Sequence, residues 1–211
     1  GQTYIAWNGK WITKNNEPRT DNRIVVSEHG SFTSIAEVLS FLSLHMTAPA
    51  VVVLANELNT VSETQVIDLP YPVTFEGVSY GSVTIGPASG LAGKPMFNCI
   101  TECYFKMIIF DAGTLSGYGS GAGEDAIHLT GNGTYHEIKD CSFDGFYNAI
   151  ADLSDAELWL FECDITNSQN NGLLINSSVP EAVVKVSEKD FTDNIVGLNL
   201  LSGSNTTVTL N

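Results

Sequence analysis

Positive charge is scarce in this chain. Nine Lys and Arg stand against 24 Asp and Glu in 211 residues, a formal net charge of −15. That balance repels phosphate backbones and anionic lipid, so nucleic acid is an unsuitable partner. Polyanionic substrates such as pectate are disfavoured too, unless a basic patch or bound cations intervene; neutral sugars, cations and other proteins stay open. Long hydrophobic runs are also missing. The longest, around Ala48–Ala55, is strand-sized, whereas a membrane helix needs about 18 apolar residues, so no membrane insertion is expected. Metal-ligand spacing is absent: Cys99, Cys103, Cys141 and Cys163 form no C-x-x-C and no Cys/His zinc pattern, and no metal or other cofactor is expected. Their even number allows two disulfides, but two of them fall in a core column described below, so free thiols packed as small core residues are expected. There is no basic, apolar-cored leader. Gly1-Gln2 reads as the scar of a cleaved tag and Thr207–Asn211 as a strand without a cap, so a fragment of something longer is expected.

What the sequence does contain is repetition. Ala126–Leu129 is followed by Ile138–Phe143, Ala149-Ile150 by Leu160–Ile165, Gly172–Ile175 by Val186–Phe191, and Gly197–Leu200 by Val208–Leu210. The steps from Ile138 to Leu160, Val186 and Leu210 are 22, 26 and 24 residues. A unit of that length, made of short strands and polar turns, describes one coil of a β-solenoid. Stacked coils place like residues in columns about 4.8 Å apart. The expected columns are Ile127/Ile150/Leu173/Leu198, Phe143/Ile165/Phe191 and Phe110/Cys141/Cys163, with Asn148 over Asn171 as an amide ladder. Lys189 would enter the cysteine column, at a register slip or at the wet end of the stack. Upstream, Met107 lies 31 residues before Ile138, which reads as one coil plus a glycine-rich loop of about 113–125; a register with Cys103 over Cys141 fits less well.

The first 96 residues read differently. Ile24–Val26 and Val51–Leu54 are strand-like, and between them Ser34 and Glu37 form a capping box ahead of Ile35, Leu39, Leu42 and Met46 at helical spacing. The pattern predicts a cap helix over about 33–45 that closes one end of the core. Val66–Leu69, Val73–Phe75 and Val83–Ile85 read as the first coils. Residues 1–20 read as a separate head and linker with an Asn8-Gly9 hairpin, leaving 21–211 as the β-helix domain.

The opening Gly30-x-Phe32-x-Ser34-Ile35, the capping helix, the runs VVVLA, VTFEG and VTI, and the irregular coils resemble the right-handed parallel β-helix of the pectin-lyase-like superfamily over about residues 22–211. The resemblance implies an all-β, single-stranded right-handed solenoid with an N-terminal capping α-helix. The aromatic head, the acidic balance and the missing leader are most similar to bacteriophage tailspikes and tail fibres. That likeness implies a non-enzymatic virion component on the phage tail or capsid surface. It would act as scaffold and receptor binder, as a homotrimer in contact with host-surface polysaccharide and other virion proteins. The superfamily also holds pectate lyases, polygalacturonases and pectin esterases, so a polysaccharide-degrading enzyme (a glycoside hydrolase or lyase), or an extracellular bacterial adhesin, is the alternative.

The lyases of this superfamily use an Arg base and acidic calcium ligands, yet the only arginines here are Arg19 and Arg23, and the polygalacturonase N-T-D, D-D, G-H-G and R-I-K motifs are all missing. Glycoside hydrolysis needs two carboxyl groups roughly 5–9 Å apart. Glu162 with Glu188 behind Asp140, and Asp164 with Asp190, are the candidates for such a pair or for a cation site; the plainer reading is exposed residues flanking a bend. His128 and His136, near Glu137 and Asp140, offer a general base or are simply outward-facing. His29 and His45 flank the cap helix and suggest no site. Gly117–Gly123 lacks the Lys-Ser/Thr of a phosphate loop and reads as a flexible surface loop for binding or subunit contact. For sugar stacking the candidates are Trp159, at an outward strand position between Leu158 and Leu160, and Tyr118 and Tyr147; partly buried structural aromatics are the competing reading for all three.

Overall fold

The computed structural model describes residues 3–7, 10–14, 23–176, 183–187, 191–201 and 207–210. Near the start, Thr3–Trp7 and Lys10–Lys14 pair antiparallel as a two-stranded sheet; the Asn8-Gly9 turn and most of the polar linker lie outside the described residues. From Ala50 onward the chain winds through six coils of three short strands each, and the strands stack in parallel into sheets of eight, six and six. The fourth coil shows the unit: Tyr135–Lys139 in the first sheet, Ser142–Asp144 in the second and Asn148–Asp152 in the third. The molecule is thus an all-β right-handed parallel β-helix.

The hydrophobic period sets the register. Ile138 pairs with Leu160, Leu160 with Val186 and Val186 with Leu210. Ile127, Ile150, Leu173 and Leu198 form a second column, and Phe143, Ile165 and Phe191 a third, all as the repeat predicts. In the middle coils the bore is filled by aromatic rings. Phe75 stacks on Phe105 at 5.4 Å, Phe97 meets Phe105 edge-on at 5.2 Å, and Phe110 lies flat on Phe143 at 4.7 Å. Each of these rings is fully buried, and such pairs add to the stabilisation given by burial itself. All four cysteines are buried and free, as small core residues.

Asparagine stacking extends this order to the polar positions. Asn171 Nδ2 donates to Asn148 Oδ1 at 2.6 Å, and Asn148 Nδ2 donates to Asp125 Oδ1 at 3.0 Å. The ladder therefore ends on a carboxylate, which also accepts the backbone N–H of Asn148 at 2.8 Å.

The corners explain where the predicted register fails. Met107, Asp140 and Glu162 have φ of 57°, 53° and 51° and occupy the same bend between the first and second sheets. Gly145, Asn167 and Asp193 form a second left-handed column after the second sheet, with φ of 76°, 55° and 55°. A left-handed residue breaks the in–out alternation of a strand. The segment from Phe105 to Phe110 therefore is not one strand but Cys103–Lys106 and Ile109–Asp111 joined at Met107. As a result Phe105, not Met107, pairs with Ile138, and Phe110 pairs with Phe143 rather than joining Cys141 and Cys163. The alternative of Cys103 over Cys141 is also wrong, because Cys103 precedes Tyr104, which pairs with Glu137. Lys189 lies outside the described residues.

The helix runs Ile35–His45. The Ser34 hydroxyl accepts the Glu37 N–H at 3.2 Å, while the Glu37 carboxylate reaches back to the Thr33 N–H at 2.8 Å. Val38, Leu39 and Leu42 are buried against the first coil, and Tyr71 OH donates to Leu42 O at 2.8 Å. The glycine-rich insertion, read as a flexible surface loop, is instead pinned. Tyr118 OH donates to Lys94 O at 2.6 Å, Glu124 accepts the N–H groups of Gly93 and Gly121 at 3.0 and 2.8 Å, and a Cβ on Gly119 would lie 1.9 Å from Gly145 O.

A buried acid stands at one inward position of the third sheet. Asp152 pairs with Leu129 on one side and Ile175 on the other, and it is fully buried. One of its oxygens accepts from Ser154 N–H and Oγ–H, both at 3.1 Å, while the other has no partner. Burial pushes its pKa up from 3.8 to about 6, against the smaller opposing effect of the Ser154 hydrogen bonds.

Two outcomes are expected. Phe110→Ala removes a stacked, fully buried ring and should cost about 3–5 kcal/mol in urea unfolding. For Asp152, the folded pKa lies above the unfolded one, so its protonated form is favoured by folding; its stabilisation is complete below pH 3.8 and lost as pH rises through 6. Asp152→Asn should accordingly gain about 2–3 kcal/mol at neutral pH and little at acid pH, read from unfolding midpoints across the pH range.

Candidate functional site

A parallel solenoid offers its outer faces for binding, because residues that alternate with the core columns line up across coils. On the first sheet the column outside Ile138 and Leu160 is Tyr104, Glu137, Trp159 and Lys185. Beside it run Tyr135 with Glu157, and Lys106 with Lys139 and Phe161. The aromatic members touch in sequence. Tyr104 and Tyr135 lie 5.8 Å apart between centroids, Tyr135 and Trp159 5.6 Å, and Trp159 and Phe161 5.5 Å, the last two edge-on. All four side chains are half-buried, so each presents part of a ring to solvent.

Carboxylates hold the polar ends of this row. Trp159 Nε1 donates to Glu157 at 2.7 Å, Tyr135 OH to Glu137 at 3.2 Å, and Tyr104 OH to Glu102 at 3.2 Å. Burial, and then the charge of the neighbouring glutamates, pushes both phenols up to about 12, so they remain donors at any physiological pH. Two of the strip's ammonium groups meet its carboxylates: Lys106 lies 3.4 Å from Glu137, and Lys185 lies 3.6 Å from Glu157 and 3.9 Å from the centre of the Trp159 ring. The arrangement joins apolar ring surface to fixed hydrogen-bonding groups, which suits a ligand with apolar faces and hydroxylated edges.

The residues singled out from the sequence are scattered by the fold. Trp159 sits at the centre of the strip, between the buried Leu158 and Leu160. Tyr118 is not an exposed stacking residue: it is 7 % exposed, packs edge-on against Phe146 at 6.2 Å and anchors the insertion. Tyr147 is half-buried at the turn before the third sheet, away from the strip. Asp140 and Glu162 do share one corner on successive coils, but Glu188 and Asp190 lie outside the described residues, and the register partner of Asp164 is Ser142. Among the described residues no group of three or more His, Cys, Asp or Glu comes together to hold a metal.

The histidines part company. His136 does not face outward. It shares the parity of Ile138 and is fully buried, with Nδ1 accepting the Cys103 N–H at 3.3 Å and Nε2 against Thr134 Oγ1 at 2.8 Å. Burial holds its pKa down to about 4, so it is a neutral core residue. Burial also pushes the Cys103 and Cys141 thiols well above their usual range and Cys163 to about 12, which leaves no thiolate nucleophile among them. His128 does face outward, and its Nε2 meets the buried Asp125 carboxylate at 2.5 Å, the same carboxylate that heads the asparagine ladder.

Tyr104, Tyr135, Glu137, Glu157, Phe161 and Lys185 were not legible as site residues from motifs. The signal that finds most of them is parity: one step outside Ile138, Leu160 and Val186 stand Glu137, Trp159 and Lys185. Tyr104 needed the corrected register at Met107.

Comparison with known proteins agrees with the architecture. A family profile described as "Right handed beta helix region" matches residues 125–211. Among solved structures the chain is similar to the pectin methylesterase of Aspergillus niger in two deglycosylated forms. The first shares 14% identity at a TM-score of 0.53, covering 93% of this chain and 88% of that one. The second shares 14% at 0.51, covering 89% and 86%. At that identity the likeness is one of fold. No curated protein sequence matches the chain.

Proposed function

We propose that this β-helix binds glycans, and that the outer face of its first sheet from Tyr104 to Lys185 is the binding surface. The observation that carries the reading is the unbroken row of four half-buried rings, three of which, Tyr104, Tyr135 and Trp159, have their polar ends fixed by Glu102, Glu137 and Glu157. A pyranose presents C–H groups on its faces and hydroxyls around its edge, so it pairs with ring surface and carboxylate together. The rings are already packed against one another, which lowers the ordering cost of binding. Extended glycans fit an extended strip better than a closed pocket.

Within that reading the chain serves as a non-enzymatic virion component, a tail-fibre or tailspike-like segment that is both scaffold and host-surface glycan binder in a homotrimer. Supporting it are the acidic balance and the lack of the superfamily's lyase arginine and polygalacturonase motifs. A second reading, an enzyme acting on a polysaccharide, is favoured by the fold likeness to a pectin methylesterase and by the placing of Glu137 and Glu157 on the same strip. A bacterial surface adhesin would use the same face.

Calorimetric titration with a panel of oligosaccharides should find a binder, and Trp159→Ala should weaken it about tenfold, since an aromatic contact contributes roughly 0.5–1.5 kcal/mol beyond burial. Absence of binding across neutral, acidic and amino-sugar oligomers would remove the reading. Light scattering should give a trimer; a monomer at high concentration would count against the virion assignment. Incubation with the bound oligosaccharide should release neither reducing ends nor methanol. If either appears and is abolished in Glu137→Gln or Glu157→Gln, the enzyme reading replaces the non-enzymatic one.

A further inference from the structure

The strip contains a cation that belongs to the protein. Lys185 places its ammonium 3.9 Å from the centre of the Trp159 ring and 3.6 Å from Glu157 Oε1, the same oxygen that accepts the indole N–H at 2.7 Å. This one side chain therefore covers the ring face on which a sugar would stack. Its hold is loose: the Lys185 side chain is 37% exposed and that of Glu157 42%, and exposed pairs of this kind contribute little. Glu157 by contrast is fixed in place by the indole. When the lysine swings out, the site that remains is a ring face with a carboxylate at its margin and no counter-charge.

We propose that this site, the face of Trp159 with Glu157 beside it, is a subsite for a protonated amino sugar, and that Lys185 occupies it until such a sugar displaces it. The inference rests on the glycan reading and narrows it to a ligand class. A neutral sugar that displaces Lys185 forfeits both the cation–π contact and the ion pair. A sugar carrying a free ammonium restores both, because its charged group takes the position of the lysine Nζ over the electron-rich ring and against the carboxylate. The lysine itself loses little, since its ammonium returns to water. The surrounding charges define a single ammonium position. Glu137 is already engaged by Lys106 at 3.4 Å, and the exposed Lys139, in register between Lys106 and Phe161, disfavours a second cation at that margin. An N-acetylated or uronic acid residue lacks the ammonium, and the latter adds a carboxylate facing Glu157.

The test is a titration of the full chain at mildly acidic pH with an oligomer of glucosamine, its fully N-acetylated counterpart and an oligogalacturonate, for wild type, Lys185→Met, Glu157→Gln and Trp159→Leu, each first checked for native circular dichroism. The free-amine oligomer should bind about tenfold more tightly than the N-acetylated one, a ratio set by one cation–π contact and one ion pair. Lys185→Met should raise affinity for the free-amine oligomer, Glu157→Gln should erase the preference, and Trp159→Leu should lose binding of both. Equal or tighter binding of the N-acetylated oligomer, or a preference that survives Glu157→Gln, overturns the amino-sugar subsite while leaving glycan binding intact. Failure of all three oligomers in every form overturns the subsite; loss of the broader reading requires that the wider panel above also be silent.

Discussion

Residue-over-residue stacking of parallel strands is the constraint on which the rest of the structure depends. Because each strand alternates its side chains, a shift of one residue between coils would carry a whole column from core to solvent. The columns through Ile138, Leu160 and Val186 and through Ile127, Ile150 and Leu173 prevent that shift by being apolar over several coils at once. The stacked phenylalanines fix the bore more tightly still, since rings 5 Å apart tolerate little sliding. Once those columns are in place, everything outside them is placed as well. The strip from Tyr104 to Lys185 is a consequence of core register, one residue out of phase with it.

Corners are the second determinant. A coil must turn, and it does so here with single left-handed residues that align as strictly as the core: Met107, Asp140 and Glu162 at one bend, Gly145, Asn167 and Asp193 at the next. Non-glycine residues in that conformation carry strain of about 1–2 kcal/mol each, offset by the stacked strands on either side. Asp140, Asn167 and Asp193 have a structural reason for being at these bends, as short polar side chains tolerate the left-handed region better than branched ones. That places Asp140 in a fold-making position before any chemical role is considered.

Polar groups inside the tube follow the same logic of stacking but with hydrogen bonds. The Asn171–Asn148–Asp125 series runs along the axis and ends on His128 at the surface, so a buried amide column is tied to an outward-facing imidazole. His136 and Asp152 are the exceptions that reveal the cost of burying titratable groups: one is held neutral with a hydrogen-bonding group at each ring nitrogen, the other keeps an oxygen without a partner. The outer strip uses charge differently. There the ionic groups stay wet, orient aromatic edges, and leave the ring faces as the scarce resource for which Lys185 competes.

The sequence by itself determined the solenoid, its coil length and most of its columns, because apolar spacing near 22–26 residues is a property of the chain that survives without coordinates. It also determined the cap helix, whose signals are local: Ser34, Glu37 and a helical stripe. Only the tertiary structure decided the register before Ile138, because Met107 bears no mark of a left-handed corner, unlike Gly145 or Asn167 at the next bend. It alone decided that Tyr118 is buried, since its partners Lys94 and Phe146 come from neighbouring coils. The aromatic strip belongs to this second class for the same reason. Its members on successive strands, Tyr104, Glu137, Trp159 and Lys185, are 22 to 33 residues apart in sequence, unremarkable one at a time, and become a surface only when strands stacked about 4.8 Å apart bring them into contact.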